Sequence, residues 1–314
     1  MTSAFVFPGQ GSQSVGMLAS FAASDPVIQE TFAEASTVLG YDMWQLVSQG
    51  PRESLNATEH TQPAMLVAGV ATWRLWQKRG GALPALVCGH SLGEFSALVA
   101  AGSMRFTDAA LLVRQRGEFM QQAVPVGIGA IAAVLGLEDQ MIREACTEAA
   151  GDEVVEPVNF NSPGQVVIAG HAGAVTRALA ACKSRGAKRA VLLPMSVPAH
   201  SSLMKPAAER FGERLATLHL RAPSIPFWSP VDSQAHSDPE DIRALLKRQL
   251  ASPVQWTSLV RAVVNAGTTR FVECGPGKIL TSLNRRIERR LEIHCEALED
   301  PESLEAALSH MGAP

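Results

Sequence analysis

An apolar strand, a serine bracketed by glycines and a helix follow one another between residues 83 and 101. Leu83 to Cys88 reads as the strand, Gly89-His90-Ser91-Leu92-Gly93 as the turn and Leu92 to Ala101 as the helix. A strand-to-helix elbow this tight needs glycine on both sides of the serine, because a Cβ there would clash. It leaves the hydroxyl exposed at the helix N-terminus, where free backbone N–H groups can stabilise an oxyanion. G-x-S-x-G alone is a loose pattern. Its strand-before, helix-after context favours a nucleophile over an incidental serine in a glycine turn.

The elbow sits in a chain that alternates strands and helices. Ala4 to Phe7 is a buried strand stopped by Pro8-Gly9, and helices are expected over Pro26 to Leu39 and Pro63 to Arg79. Another helix covers Thr107 to Gln122, with Thr107 as a candidate N-cap. Past residue 125 the pattern becomes β-α-β-β-α-β: strand Ile128 to Leu137, helix Glu138 to Ala150, strands Val154 to Asn159 and Gln165 to Ala169, helix Ala174 to Arg185 and strand Arg189 to Leu193. That order is ferredoxin-like. Helix Leu203 to Ala216, strand Ser224 to Ser229, helices Asp241 to Leu250 and Trp256 to Ala266, strand Arg270 to Cys274 and helix Lys278 to Arg290 follow. The expected fold is therefore α/β: a large parallel-sheet, α/β hydrolase-like domain over 1–124 plus 197–314, with a ferredoxin-like subdomain inserted over 125–196.

The 314 residues are 46% apolar and 18% charged, enough to bury a sizeable core. A net charge of -3 argues against a general nucleic-acid binder. Five scattered cysteines without a CxxC pair fit small core residues in a reducing compartment better than disulfides or zinc. The first residues lack the basic region of a signal peptide, and the longest apolar run, Gly127 to Leu137, is shorter than the ~20 residues a membrane span needs. These features point to a cytoplasmic protein that uses no membrane.

A serine nucleophile needs a base. Of eight histidines, only His200 stands at a junction, in Ser196-Val197-Pro198-Ala199-His200-Ser201, where the chain leaves the insert. Such junctions line interdomain clefts, although a hydrogen-bonded loop histidine is an equal reading on the residues alone. Three other patterns carry less. Gly127-x-Gly129-x-x-Ala132 precedes its strand, where a dinucleotide fingerprint would follow one. Gly277-Lys278 lacks the first glycine of a phosphate loop, since position 272 is valine. Arg285, Arg286, Arg289 and Arg290 read as a solvated helix face.

The chain resembles the malonyl-CoA:acyl carrier protein transacylases of bacterial fatty-acid synthesis. The resemblance runs nearly end to end. It is carried by Phe7-Pro8-Gly9-Gln10-Gly11-Ser12-Gln13, Thr61-Gln62-Pro63-Ala64, Gly89 to Glu94, Arg116-Gly117, Asn159-Phe160-Asn161-Ser162-Pro163-Gly164-Gln165, Ser196 to His200, Leu203-Met204-Lys205-Pro206, Gln249-Leu250, Pro253-Val254-Gln255-Trp256 and Gly275-Pro276-Gly277. It implies that Ser91 is the nucleophile, His200 the base and then the acid, and Arg116 the partner of the malonyl carboxylate. It implies an oxyanion hole from the Gln10 and Leu92 amides and a Gln249 that sits beside His200 and orients it. His90, Gln62 and Asn161 fall in the matched stretches and are further candidates for the site. Spacing alone would leave Arg116 as a surface residue of a helix.

The implied reaction carries malonyl from malonyl-CoA to the phosphopantetheine of acyl carrier protein, with no metal and no cofactor of the enzyme's own. Ala199 and Trp228-Ser229-Pro230 depart from the usual pattern, outside the core motifs. Other readings are the malonyl-transferring subunit of a malonate decarboxylase, a domain of a polyketide synthase, a serine thioesterase or hydrolase, and a non-catalytic module that binds carrier protein. In α/β-hydrolases the histidine comes last, after an acidic residue, whereas over a hundred residues follow His200.

Overall fold

The computed structural model describes residues 2–125, 127–195 and 197–311. In chain order the first segment holds β1 (Thr2–Phe7), α1 (Ala19–Ser24), α2 (Val27–Leu39), α3 (Met43–Gln49), α4 (Arg52–Asn56), α5 (Thr58–Lys78), β2 (Leu86–Gly89), α6 (Gly93–Ala100) and α7 (Phe106–Ala123). The middle segment holds β3 (Gly129–Leu135), α8 (Asp139–Ala150), β4 (Val155–Ser162), β5 (Gln165–His171), α9 (Ala172–Ser184) and β6 (Arg189–Leu192). Then come α10 (Lys205–Ala216), β7 (Phe227–Ser229), β8 (Gln234–His236), α11 (Pro239–Gln249), α12 (Trp256–Asn265), β9 (Thr268–Glu273), α13 (Ile279–Ile287), β10 (His294–Ala297) and α14 (Pro301–Met311).

The large sheet has the order β10-β9-β1-β2-β7-β8 and draws strands from both outer segments of the chain. All its pairs are parallel except β7–β8. A parallel sheet must be covered on both faces. Along β1, Phe5 and Phe7 enter one core with Trp73, Trp76 and Phe95, while Ala4 and Val6 enter the other with Trp256, Leu259 and Phe271. Phe5 meets Trp73 and Trp76 edge-on at 5.5 and 5.1 Å.

Parallel strands also end together. The turns after β1, β2 and β9 therefore share one edge of the sheet, the place where open α/β sheets put their ligands. At that edge the buried carboxylate of Glu273 accepts the N–H groups of Leu280 and Thr281 at 3.0 and 2.7 Å and anchors the start of α13.

The insert is a four-stranded antiparallel sheet in the order β4-β5-β3-β6, the ferredoxin-like arrangement. One face packs on α8 and α9 through Val134, Phe160 and Ile168. Ile131, Val158 and Ala169 form a separate cluster, and Ile131 and Val158 share a cleft with the turns after β1 and β2. β4 is stitched to the large unit: Phe160 donates its N–H to the Val254 carbonyl, and Val254 donates to Val158, both at 2.9 Å.

Several expected details differ. Strand β2 starts at Leu86, and Leu83 is exposed. Helix α5 begins at Thr58 and contains Pro63. Thr107 does not cap α7: the cap position is Arg105, whose guanidinium pairs with Asp108 in the first turn. Helix α13 stops at Ile287. Residue 196, where the insert was expected to end, lies outside the described residues. All five cysteines are free and buried. Among the described residues no helix is long and apolar enough to cross a membrane.

Candidate active site

The elbow is built from close backbone approach. A Cβ on Gly89 would sit 2.0 Å from the Gly93 carbonyl carbon, and one on Gly93 would sit 1.9 Å from the Phe7 oxygen. Neither position tolerates a side chain, so β1, the turn and α6 can press together. Ser91 between them adopts a left-handed backbone with φ 54°. Such strain is found where a side chain must be aimed. The Ser91 hydroxyl lies 2.7 Å from Nε2 of His200.

His200 comes from the segment that returns from the insert, and it is also left-handed, with φ 67°. Two bonds to the end of α11 hold it. Its backbone N–H donates to the Leu250 carbonyl at 3.1 Å, and Nδ1 lies 2.9 Å from the main-chain carbonyl of Gln249. A carbonyl only accepts, so Nδ1 carries the proton and Nε2 is left to accept from Ser91. Burial, with the positive charge of Arg116 beside it, pushes the His200 pKa down to about 3.

Arg116 projects from α7 and is 1% exposed. Its Nη1 donates to Gln62 Oε1 at 2.8 Å, and its Nη2 donates to Gln249 Oε1 at 2.8 Å and to the Ser91 hydroxyl at 3.3 Å. Its charge is matched by no direct carboxylate among the described residues. Burial lowers its pKa to about 10, which leaves it charged at neutral pH.

Gln249 was expected to orient His200. Its main-chain oxygen does so, while its side chain serves Arg116, Ser91 and Glu94. Nε2 donates to the Ser91 carbonyl at 2.9 Å and to Glu94 Oε1 at 2.7 Å.

The Gln10 and Leu92 amides border the same cleft, and neither donates to another group among the described residues. His90 makes no hydrogen bond to Ser91 among the described residues. Its Nε2 meets Asn161 of β4 at 2.9 Å, and its ring lies 5.5 Å from that of Trp256. It thus ties the elbow to the insert. Burial lowers its pKa as well.

The cleft measures about 540 Å³ and is apolar where Met120, Ile131, Val158, Val167 and Leu193 face it. Among the described residues no cluster of His, Cys, Asp and Glu has the makings of a metal site.

Two residues were missed. Glu94 is fully buried beneath Gln249, and burial raises its pKa to about 7. Ser229 donates to Glu94 Oε2 at 2.7 Å. The departure at Trp228-Ser229-Pro230 therefore does touch a core motif, contrary to expectation. The available signal was one acid in a stretch, Leu86 to Ala100, whose other residues are apolar or glycine apart from His90, Ser91 and Ser96.

The fold agrees with the comparisons. The family model for the acyl transferase domain matches residues 4–297, and the chain belongs to that family. Within it the chain is 56% identical to the malonyl CoA-acyl carrier protein transacylase of Salmonella typhimurium, over 98% of each chain. A malonyl-transacylase solved in complex with a type II PKS acyl-carrier protein is 51% identical and superposes with a TM-score of 0.97, over 99% of this chain and all of the other. An acyl carrier protein S-malonyltransferase from Vibrio cholerae is 55% identical with a TM-score of 0.94, over 98% of this chain and 99% of the other. These matches favour transfer over the hydrolase, decarboxylase-subunit and binding-module readings.

Proposed function

We propose that this chain transfers malonyl from malonyl-CoA to the phosphopantetheine thiol of an acyl carrier protein through an ester on Ser91. The carrying observation is a buried Arg116, without a direct carboxylate partner among the described residues, 3.3 Å from the Ser91 hydroxyl. A buried cation beside a nucleophile selects an acyl group that brings its own carboxylate, and the planar guanidinium can grip it with two parallel hydrogen bonds.

Ser91 Oγ attacks the thioester carbonyl while His200 Nε2 takes its proton. The carbonyl oxygen becomes an oxyanion against the Gln10 and Leu92 amides. The C–S bond then breaks, and the departing sulfur takes the proton from His200, giving coenzyme A thiol and malonyl-serine. In the second half the carrier thiol passes its proton to His200 and attacks the ester. The C–O bond breaks and Ser91 regains the proton. The reading requires no metal or redox cofactor. It places the reaction in the cytoplasm, whose reducing conditions suit five buried thiols.

Mixing the protein with malonyl-CoA and a phosphopantetheinylated carrier should shift the carrier's intact mass by one malonyl group. Free malonate with an unmodified carrier would overturn the reading in favour of hydrolysis.

The base should also work far into acid. His200, facing Arg116 and His90, keeps its Nε2 free at every pH well above about 3. The kcat/KM for malonyl-CoA should therefore change little between pH 7 and 5. An ordinary imidazole, with a pKa of about 6.5, would lose about twentyfold over that range. A loss of that size, in protein shown to remain folded, would show that His200 titrates normally.

A further inference from the structure

Glu94 takes no part in the steps above, yet it lies inside the network that holds Arg116. We propose that Glu94 is a positioning residue for malonyl recognition: by accepting a hydrogen bond from Gln249 Nε2 it fixes which end of that amide faces the guanidinium. The proposal rests on the role given to Arg116 above.

A side-chain amide is nearly symmetric in shape and can lie in either of two orientations. The donor end of Gln249 lies between Glu94 Oε1 at 2.7 Å and the Ser91 carbonyl at 2.9 Å, while its acceptor end receives Arg116 Nη2 at 2.8 Å. A flipped amide would set oxygen against two acceptors and NH2 against a donor. The carboxyl is itself held from turning, because Ser229 on β7 donates to its other oxygen at 2.7 Å. Gln62 holds Nη1 on the far side of the guanidinium. Glu94, Gln249 and Arg116 are all at most 1% exposed, so water does not stand in for a lost partner cheaply. The order of support is β7, α6, α11, α7, and it ends at the atom 3.3 Å from the Ser91 hydroxyl.

What matters in this scheme is an accepting oxygen at the right reach, and a protonated carboxyl or an amide still supplies one. Two variants separate reach from charge. Glu94→Gln keeps the reach and removes the charge. Glu94→Asp keeps the charge and withdraws the oxygen by one methylene.

The readout is the ratio of kcat/KM for malonyl-CoA to that for acetyl-CoA, since misplacing the guanidinium harms only the acyl group that carries a carboxylate. Glu94→Gln should stay within about threefold of the unaltered protein. Glu94→Asp should lower the ratio by about tenfold to a hundredfold, the effect of a hydrogen bond involving a charged group. Should the aspartate variant fail to fold, Glu94→Met, which has similar length and only a weakly accepting sulfur in place of the oxygens, should show the same loss.

The opposite order, with Asp retained and Gln impaired, would mean that Arg116 needs a counter-charge and would overturn the proposal. Equal losses on both substrates would overturn it too, by making Glu94 a structural residue. If Arg116→Ala leaves the ratio unchanged, the malonyl reading itself fails and this proposal with it. If Arg116→Ala lowers the ratio and Glu94→Asp does not, only the proposal fails.

Discussion

Ser91→Ala is expected to give a folded protein that acquires no malonyl group from malonyl-CoA and whose transfer rate falls by about 10⁴ to 10⁶, the scale seen when a serine nucleophile is removed. The hydroxyl is the only group of Ser91 that meets His200, at 2.7 Å. Its loss leaves His200 anchored through Nδ1 and its backbone, and leaves Arg116 anchored through Gln62 and Gln249. Stability should therefore change little, and a thermal melt supplies the control. Intact-mass measurement with peptide mapping should find malonate on Ser91 in the unaltered protein and nowhere in the variant. An ester on another residue, or undiminished transfer, would remove Ser91 from the mechanism.

Arg116→Ala should separate two substrates. A malonyl carboxylate in the closed cleft without its cation is an unpaired buried charge, which costs about 3–5 kcal/mol. That corresponds to about two to four powers of ten in kcat/KM. Acetyl transfer should fall far less, because an apolar acyl group forms no bond to the guanidinium. Arg116→Lys should recover malonyl use only in part, since an ammonium restores charge without the two-pronged geometry. The measurement compares malonyl-CoA and acetyl-CoA across all three proteins. Equal losses would make Arg116 a support of the fold, a role its bonds to α5 and α11 could also serve.

Where one face or stripe of an element is buried, the sequence was readable. The apolar runs of β1, β2 and β9 announced a parallel sheet, and the β-α-β-β-α-β order announced the insert. The glycines flanking Ser91 announced the elbow, because no other residue fits that backbone. Elements at the margins were harder. β8 and β10 are short edge strands with one neighbour each, and α3 and α4 run only seven and five residues, too short to show a helical period. Helix α5 was cut at Pro63 because proline ordinarily marks a helix start.

The site divides in the same way. Ser91 was legible from local pattern. His200 and Arg116 needed the family resemblance, because what makes them special lies far along the chain: the Gln249 carbonyl for one, and Gln62 with the Gln249 side chain for the other. Glu94 and Ser229 stayed hidden because burial and pairing between α6 and β7 leave no periodic trace.

The main-chain oxygen that holds His200 also bears on how long a loaded enzyme survives. A carboxylate in that place would stabilise the imidazolium and make the ring a stronger base. A neutral carbonyl does not, and the ring is left with the low basicity that burial imposes. An alcohol and water both yield a proton reluctantly to so weak a base, but Ser91 is held 2.7 Å from Nε2 and a solvent water is not, while a thiol, whose pKa is about 8.5 against about 15.7 for water, yields its proton far more readily. On the proposed Ser91 ester, this favours the carrier thiol over water as the second nucleophile, so that a loaded enzyme can wait for a scarce carrier.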